Sequence, residues 1–458
     1  MENYERIHFL GIGGISQSAI ALILKHRGKF VSGSDQVYGE QVERLERAGI
    51  RVQIGGIAKE IEDADLVIAS AAIKEDDPEF CHAKKLGKKI ISRAEALGLL
   101  ASSYENVISV AGSHGKTTTT GMIAKIFIDA NEDPTVHIGG NLPEIGGNVR
   151  EGSSKFFITE ACEYVDSFLE LSSDVSIILN IQKDHLDYFK TFSNINKSFT
   201  KFAKNTKKGG LVVFNGDDVH ANKKYQEKSI SFSLEDNGIL CAKNIHEYEN
   251  GKFAFDCFFL GSKFGEIKLG VYGKHNISNS LSAIATALYY GISFDQISKS
   301  LFDFQGVKRR FQDYGELFGT KLIHDYAHHP TEIKATIEVA KKITKGDVFV
   351  VFQPHTYSRT KLLLPEFKKC FAGAKEVFVF KVYSAREKPS AGVDEKVLAS
   401  ELCKQNIKAT AFDDYSQMLK FIFPKLKPND TLLVLGAGDI ENFLPFVNGR
   451  YQNFCEQK

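Results

Sequence analysis

Residues 110–120 read VAGSHGKTTTT, a glycine-rich segment that carries a lysine and ends in a run of threonines. Between a strand and a helix, such a turn directs backbone N–H groups and a helix N-terminus at an anion. Lys116 would reach the outer phosphates of a nucleotide, and the Thr117 hydroxyl would bind magnesium. Val110 stands where the common pattern G-x-x-x-x-G-K-[ST] has its first glycine. The predicted phosphate-binding residues are Gly112, Ser113, His114, Gly115, Lys116, Thr117 and Thr118.

Two later segments, ITEACEYVDSFL (158–169) and LNIQKDHLDYF (179–189), each place polar residues directly after an apolar run. Parallel sheets present their sites at the carboxyl ends of strands, so Glu160 and His185 are expected beside the phosphate loop. A carboxylate and an imidazole near Thr117 are suited to hold a metal ion between anionic groups. The order of the three segments predicts a metal site of Thr117, Glu160 and His185, whereas a strand-end glutamate taken alone is more often simply solvated.

A second glycine-rich turn, GIGGIS (11–16), follows the first apolar run of the chain. Ser16 replaces the last glycine of the dinucleotide pattern G-x-G-x-x-G, and Asp35 follows at about the spacing of a ribose contact. Read by itself, this segment suggests NAD. No separate set of hydride-transfer residues accompanies it.

The elements that must position these residues form three successive α/β segments. Strands are predicted near 7–10, 30–32, 65–70 and 89–92, then at 106–112, 156–160, 175–180 and 211–215, and finally at 347–353, 376–380 and 430–438. Helices are predicted at about 118–130 and 278–291, and short alternating runs over 228–272 indicate an antiparallel excursion. The alternation of strands and helices predicts α/β domains with parallel sheets, bounded at 1–105, 106–311 and 312–458.

Composition excludes several function classes. The 58 lysines and arginines against 57 acidic residues leave no basic excess for gripping nucleic acid. No apolar run approaches the roughly 20 residues that cross a bilayer, and MENYERIHFLGIGG has no signal-peptide pattern. The 7 cysteines include no C-x-x-C pair, which indicates reduced thiols. We expect a cytoplasmic protein with no nucleic-acid partner and no membrane insertion, either a monomer or a homodimer.

The order of the motifs resembles the Mur ligase family, the ATP-dependent amino-acid ligases of peptidoglycan precursor synthesis. The shared segments are GxxGKTTTT, E-A-x-E, N-I-x-x-D-H-L-D, GKHNISNSLSAIATA (273–287), GVKRRF and DYAHHPTE (325–332). The ATP loop of this family lacks the first glycine of the common pattern, which accounts for Val110. The resemblance implies an N-terminal Rossmann-like UDP-binding domain, a central P-loop ATPase domain and a C-terminal Rossmann-like domain.

Within the family, HFLGIGGISQSAIA, VSGSD, VFQPHTYSRT and LGAGDI are most similar to the member that joins L-alanine to UDP-N-acetylmuramate. The reaction implied begins with attack of the lactyl carboxylate of the sugar on the γ-phosphate of ATP. The acyl phosphate so formed is attacked by the amine of L-alanine. The substrates implied are UDP-N-acetylmuramate, L-alanine and ATP, with Mg²⁺ as cofactor.

The resemblance also implies a role for each site residue. Lys116, Glu160 and His185 are implied as catalytic, with Thr117 and Glu160 on the magnesium of ATP and His185 on a second magnesium. Asn276 and Asn279 are expected at adenine, and Arg309 and Asp325 at phosphate and ribose when the C-terminal domain closes. The residues expected at the UDP-sugar are Gly13, Gly14, Ser34, Asp35 and Ser70. Those expected at the amino acid are Tyr326, His328, His355 and Arg359.

Three residues depart from the commoner family pattern. Cys162 and Tyr164 stand in place of the acidic residue and serine of E-A-D-E-S, and Thr356 stands where many alanine-adding members have arginine. These differences bear on substrate contacts and leave the reaction unchanged. Two alternatives stay open: a recycling ligase that adds an intact tripeptide to the same UDP-sugar, and a nucleotide-sensing binding protein without ligase chemistry.

Overall fold

The computed structural model describes residues 1, 3–385, 387–388, 392–444 and 447. These residues form three sheets flanked by helices, of 5, 10 and 6 strands. Most neighbouring strands run parallel, and helices connect many of them, which confirms the predicted α/β class. Each sheet lies inside one of the three predicted sequence segments.

The first sheet has the strand order β3-β2-β1-β4-β5, and every pair is parallel. The chain leaves β1 for β2 on one side and later returns to β4 on the other, so the order reverses beside β1. Ligands of doubly wound sheets bind at such a point. The elements are β1 (Arg6–Leu10), α1 (Ile15–His26), β2 (Phe30–Asp35), α2 (Glu40–Arg47), β3 (Arg51–Ile54), β4 (Leu66–Ala69), α3 (Pro78–Lys85), β5 (Lys89–Ser92) and α4 (Arg93–Ala101).

The second sheet has the order β15-β14-β13-β12-β11-β10-β6-β9-β7-β8. Its central strand β6 pairs in parallel with both β9 and β10, the strands that precede the two polar segments. The elements are β6 (Asn106–Ala111), α5 (Lys116–Asp129), β7 (Thr135–Leu142), β8 (Gly147–Arg150), β9 (Phe156–Glu160), β10 (Val175–Ile178), α6 (Leu186–Phe189), α7 (Phe192–Lys204), β11 (Leu211–Asn215), β12 (Lys228–Ser233), β13 (Leu240–Glu249), β14 (Lys252–Phe259), β15 (Ser262–Tyr272), α8 (His275–Tyr289) and α9 (Phe294–Asp303).

The antiparallel excursion predicted for 228–272 is wrong for β12, which runs parallel to both of its neighbours, β11 and β13. β12 pairs in parallel with β11, with Val212 opposite Ser229. Alternation of apolar and polar residues reports that one face is exposed, but the connection sets the direction of a strand. The residues between β11 and β12 return the chain to run alongside β11 again. Beyond this point, two-residue connections such as Asn250 and Gly251 join β13, β14 and β15, as in antiparallel hairpins.

The third sheet has the order β16-β17-β21-β18-β19-β20. Only its edge pair, β16 with β17, is antiparallel. Separate apolar clusters cover its two faces, one under Ile333 and Phe367 and the other under Met418 and Phe443. The elements are β16 (Gln312–Leu317), β17 (Thr320–Asp325), α10 (Pro330–Ile343), β18 (Val348–Phe352), α11 (Tyr357–Leu362), α12 (Leu364–Cys370), β19 (Glu376–Phe380), α13 (Glu395–Cys403), β20 (Ala409–Phe412), α14 (Tyr415–Ile422) and β21 (Thr431–Leu435).

Packing groups the chain into two compact units. The first comprises residues 1–245, 255–268 and 277–307, and the second comprises 246–254, 269–276 and 308–458. One continuous buried cluster, from Phe9 of the first sheet to Phe214 of the second, explains why two sheets share the first unit. Within the described part of the chain, no helix combines the length and the apolar character that crossing a membrane requires.

Candidate active site

The phosphate loop consists of Gly112 to Gly115, between the end of β6 and the first residue of α5. Gly115 has φ 86°, a conformation that residues with a Cβ rarely adopt, and a Cβ there would lie 2.5 Å from Asn279 Oδ1. Gly112 has φ 149°, and a Cβ there would lie 2.9 Å from Leu179 Cβ. Because Gly115 makes the turn in one residue, the helix starts at Lys116, two residues before the predicted start.

Val110 has a structural reason to replace a glycine. It lies inside β6, fully buried, and pairs with Ile177 on one side and Glu160 on the other. The strand therefore continues through the position at which longer phosphate loops have already turned. A β-branched residue suits this doubly paired, buried place.

The segment after β10 holds the loop in place. Asn180 Oδ1 accepts a hydrogen bond from His114 N at 2.8 Å, and Asn180 Nδ2 donates to His114 O at 3.0 Å. Gln182 N donates to Ser113 Oγ at 2.9 Å, and the Asn180 carbonyl accepts from Ser113 N at 3.1 Å. The first turn of α5 keeps N–H groups that have no partner inside the helix. The loop thus presents donors at a helix N-terminus, as anion sites do.

Lys116 is held by a carboxylate that the sequence interpretation did not assign. Its Nζ lies 2.8 Å and 3.0 Å from the two oxygens of Glu163 and 2.5 Å from the Gly112 carbonyl oxygen. The Glu163 side chain is only 3% exposed and that of Lys116 is 17% exposed. Burial is the largest single influence and by itself would lower the pKa of Lys116, but the combined effects of Glu163, Cys162 and Glu160 outweigh it and the pKa is raised. Lys116 is therefore a fixed, charged ammonium group beneath the loop.

Glu160 and Thr117 each lie closely against a glycine, Gly139 and Gly140 respectively. Glu160 Oε1 accepts a hydrogen bond from Gly139 N at 2.7 Å. A Cβ at Gly139 would lie 2.9 Å from Glu160 Oε2, and one at Gly140 would lie 2.9 Å from Thr117 Cγ2. A hydroxyl and a carboxylate are the hard oxygen donors that Mg²⁺ prefers. The residues present therefore fit a magnesium ion.

No group of three or more His, Cys, Asp and Glu side chains within the described ranges is arranged to hold a metal by itself. Mg²⁺ in nucleotide sites is commonly bound through one or two carboxylates together with substrate phosphates and water. His185 lies close by, since its ring packs 4.8 Å from that of Tyr164, the residue after Glu163. His185 has φ 50° and is the N-cap residue that precedes the short helix α6.

The N-terminal glycine turn lies where the first sheet reverses its strand order. Gly13 N donates to Asp35 Oδ2 at 2.8 Å, so the acidic residue at the end of β2 braces the turn. Ser70 follows β4, and its N–H donates to the Leu10 carbonyl at 3.1 Å. Ser34 is buried, and its hydroxyl donates to Glu79 Oε2 at 2.5 Å. The five predicted sugar-nucleotide residues, Gly13, Gly14, Ser34, Asp35 and Ser70, all lie at this edge of the sheet.

The second unit holds Arg309 and Asp325. Arg309 Nη1 lies 3.0 Å from Glu441 Oε2, and its guanidinium carbon lies 4.8 Å from the centre of the Tyr326 ring. Asp325, at the end of β17, accepts a hydrogen bond from Thr336 Oγ1 at 2.6 Å. Burial raises the pKa of Asp325 to about 6, although Arg310 opposes the shift. Asp325 therefore takes up a proton more readily than an ordinary carboxyl group.

The four residues predicted at the amino acid lie together in the second unit. The rings of Tyr326 and His328 are 5.5 Å apart, and those of His328 and His355 are 5.8 Å apart. Arg359 Nη1 lies 2.9 Å from His355 Nδ1. Thr356 has φ 65°, an uncommon conformation for a β-branched residue, and its hydroxyl caps α11. The turn at Thr356 connects His355 to the helix that carries Arg359, and the two side chains are within hydrogen-bond distance of each other.

Asn276 and Asn279 lie one turn apart on α8, which begins at His275 and not at the predicted 278. Asn276 Nδ2 donates to the Tyr272 carbonyl at 2.7 Å. Asn279 lies against Gly115 of the phosphate loop, as the close approach to a Cβ there shows.

Sequence reasoning missed three residues that organise these sites: Glu163, Asn180 and Tyr383. Glu163 was visible as the second acid of E-A-x-E, and Asn180 as the first polar residue after β10. Tyr383, whose ring lies 5.5 Å from that of His355, carries no motif that would single it out.

The glycine loop, its buried lysine and the helix that follows define a nucleotide-binding protein of the P-loop class. The sequence profile of the Mur ligase middle domain matches residues 110–287. The profile of the Mur ligase family catalytic domain matches residues 6–105, and that of the Mur ligase glutamate ligase domain matches 309–438. The chain belongs to the Mur ligase family.

Individual relatives agree with this assignment. The chain is 40% identical to a UDP-N-acetylmuramate–L-alanine ligase of Caldanaerobacter subterraneus over 96% of both chains. The crystal structure of a UDP-N-acetylmuramate–alanine ligase of Thermotoga maritima matches with a TM-score of 0.85 and 29% identity, over 98% of this chain and 99% of that one. A murein peptide ligase of Psychrobacter arcticus shares the fold, with a TM-score of 0.74 and 22% identity over 98% of each chain.

The Asp325 carboxyl group predicts a pH dependence of stability. Its pKa is about 6 in the folded chain and about 3.9 when unfolded, so the folded state binds more protons between these values. The free energy of unfolding should therefore fall by about 3 kcal/mol from this group as pH rises through that window. This contribution is measured by urea unfolding of the unmodified chain and of Asp325→Asn at several pH values between about 4 and 7, as the difference between their free energies of unfolding. A stability difference that stays constant with pH would contradict the assignment.

Proposed function

We propose that the protein is an ATP-dependent ligase that joins L-alanine to the lactyl carboxylate of UDP-N-acetylmuramate, in peptidoglycan precursor synthesis. The observation that carries the proposal is the phosphate loop with its buried, charged Lys116, in a chain that matches alanine-adding relatives over nearly its full length. The proposed domains are 1–105 for the UDP-sugar, 106–311 for ATP and 312–458 on the amino-acid side.

Lys116 and the loop donors would neutralise the phosphoryl group as it transfers. Charge that develops on the phosphate oxygens meets a fixed ammonium and helix N–H groups that need no rearrangement. Thr117 and Glu160 would hold a magnesium ion, which supplies further charge neutralisation of the phosphates when bound. His185 is proposed beside a second ion, and Gly112, Ser113, His114, Gly115 and Thr118 around the phosphates.

The two glutamates of E-A-C-E, Glu160 and Glu163, would have different roles. Glu160 accepts a hydrogen bond from Gly139 N, whereas Glu163 is buried against Lys116. The lactyl carboxylate attacks the γ-phosphate, and the bond from that phosphorus to the bridging oxygen of ADP breaks. The neutral alanine amine then attacks the acyl carbon, the bond from that carbon to the phosphate oxygen breaks, phosphate leaves, and the nitrogen loses a proton to water as the amide forms. In each step the nucleophile and its electrophile, first the γ-phosphorus and then the acyl carbon, are held side by side.

The remaining predicted residues belong to binding. Asn276 and Asn279 are proposed at the adenine, and Arg309 and Asp325 at phosphate and ribose. Gly13, Gly14, Ser34, Asp35 and Ser70 are proposed around the uridine diphosphate. Tyr326, His328, His355 and Arg359 are proposed around L-alanine, where bulky polar neighbours leave room for a small side chain.

The proposal predicts phosphate release from ATP that requires both UDP-N-acetylmuramate and L-alanine, with the ligated product seen by mass spectrometry. Replacing L-alanine by a tripeptide tests for the recycling ligase. Product that forms from UDP-N-acetylmuramate with the tripeptide, but not with L-alanine, would support that alternative. Phosphate release that is independent of both co-substrates, or no release at all, would contradict ligase chemistry.

Lys116→Gln should lower kcat by about a hundredfold or more, because the transferring phosphoryl group loses its cation in a largely enclosed site. The matched control is Lys125→Gln on the same helix, whose ammonium pairs with Asp129 at 2.7 Å. The control should keep its turnover. Near-normal turnover by Lys116→Gln would show that the phosphate site lies elsewhere.

Arg359→Gln should raise the KM for L-alanine about tenfold or more while the KM values for ATP and the UDP-sugar stay nearly unchanged. A guanidinium binds a carboxylate through two parallel hydrogen bonds, and an amide cannot replace the charge. Lys361→Gln, an exposed basic residue on the same helix, is the control. An Arg359→Gln variant that loses affinity for the UDP-sugar, with unchanged dependence on alanine, would overturn this assignment.

A further inference from the structure

Arg93 is a basic residue that no part of the proposed function yet uses. It is the first residue of α4, directly after the capping residue Ser92. The N-terminus of a helix carries partial positive charge, so a cation at this position is locally unfavourable. Its side chain is partly buried, and this burial lowers the pKa of the guanidinium. The fold thus holds a cation where both the helix dipole and the loss of water oppose it.

The contacts of Arg93 do not offset this cost. Across the described residues, the one acceptor that it reaches is Ser16 Oγ, 3.2 Å from Nη1, and no carboxylate pairs with it. A guanidinium has five N–H donors. None of its other nitrogens is among the fully buried atoms that lack a partner, so each keeps some accessible surface. Within the described part of the structure, Arg93 therefore keeps most of its donor fork unpaired and partly accessible.

A directed chain of hydrogen bonds runs from Arg93 through Ser16, His137 and Thr159 to the carbonyl of Glu160, the last residue of β9. Thr159 Oγ1 donates to the Glu160 carbonyl at 3.0 Å, so it accepts from His137 Nδ1 at 2.9 Å. His137 Nε2 then accepts from Ser16 Oγ at 2.8 Å, which leaves Ser16 as acceptor for Arg93. Burial lowers the pKa of His137 to about 3, and Arg93 adds to the shift, consistent with this neutral ring. The hydrogen bonds among Ser16, His137 and Thr159 are therefore complete without any additional donor from Arg93.

The position of Arg93 points to one part of the substrate. Hydrogen bonds through Ser16, His137 and Thr159 connect Arg93 to the Glu160 carbonyl at the end of β9, and Glu160 pairs with Val110 of β6. Ser16 belongs to the first turn of α1, next to the turn proposed for the uridine diphosphate. An anion at Arg93 would thus lie between the sugar-nucleotide turn and the end of β9, the strand that carries Glu160.

We propose that Arg93 binds the lactyl carboxylate of UDP-N-acetylmuramate and aligns it for attack on the γ-phosphate. The inference rests on the proposed function. The planar guanidinium fork matches the two oxygens of a carboxylate. Held between Arg93 and Lys116, the nucleophile is oriented toward the phosphorus, and its own charge is stabilised before the reaction. The same grip discriminates against a UDP-sugar that lacks the lactyl group.

The test compares two UDP-sugars by isothermal titration, with the protein saturated with magnesium and a non-hydrolysable ATP analogue. UDP-N-acetylmuramate carries the lactyl carboxylate, and UDP-N-acetylglucosamine lacks it. We expect Arg93→Gln to weaken binding of the first about tenfold or more and to leave binding of the second unchanged, since only the first offers the guanidinium a charged carboxylate acceptor. Arg51→Gln, an exposed arginine of the first sheet, should change neither affinity.

Two results would overturn the inference alone: equal loss for both sugars, which would place Arg93 on the diphosphate, or no loss for either. Failure of the unmodified chain to bind UDP-N-acetylmuramate would overturn the proposed function as well. If Arg93→Gln does not fold, Arg93→Lys keeps the charge without the fork. It should then show a smaller loss, again confined to the sugar that has the carboxylate.

Discussion

The buried ion pair of Lys116 and Glu163 is the interaction on which the phosphate site depends. Taking an ammonium and a carboxylate out of water is costly, and their attraction offsets the cost only when the geometry is close and the remaining donors are satisfied. Here both carboxylate oxygens lie within 3.0 Å of Nζ, and the Gly112 carbonyl accepts as well. The lysine is therefore held against its own loop before any phosphate arrives. A phosphate would therefore bind to a Lys116 ammonium group that the Glu163 carboxylate already holds in position.

Close backbone approaches shape the space around that cation. Gly115 makes room for Asn279, while Gly139 and Gly140 make room for Glu160 and Thr117. In each case a methyl group would lie within about 3 Å of a functional side chain, a distance that packed atoms do not tolerate. The glycines of this site thus serve two needs. Gly112 and Gly115 adopt conformations closed to other residues, and Gly139 and Gly140 leave volume.

Much of this arrangement could be predicted from sequence, because local rules act at strand ends. A strand, a glycine turn and a helix follow one another in the chain, so the position of the glycine loop could be predicted. Glu160 and the segment that contains His185 follow strands that neighbour β6, as their order in the sequence suggested. The contacts that join distant segments could not. Ser16 and His137 lie 121 residues apart, and nothing in either segment indicates that they meet. The direction of β12 was predicted wrongly for a related reason, since pattern reports exposure and the connection sets direction.

The chain from Arg93 to the Glu160 carbonyl shows how a neutral histidine can couple two sites. His137 is 3% exposed and accepts at one nitrogen while it donates at the other. A protonated ring would donate at both nitrogens, and Ser16 would then lose the acceptor that fixes its own direction. Burial keeps the ring neutral, so Ser16 must turn its lone pairs toward Arg93. The orientation of the guanidinium beside the sugar-nucleotide turn is thereby set from the strand that carries Glu160. Four hydrogen bonds thus link α4 and α1, which flank the first sheet, to the end of β9 in the second sheet.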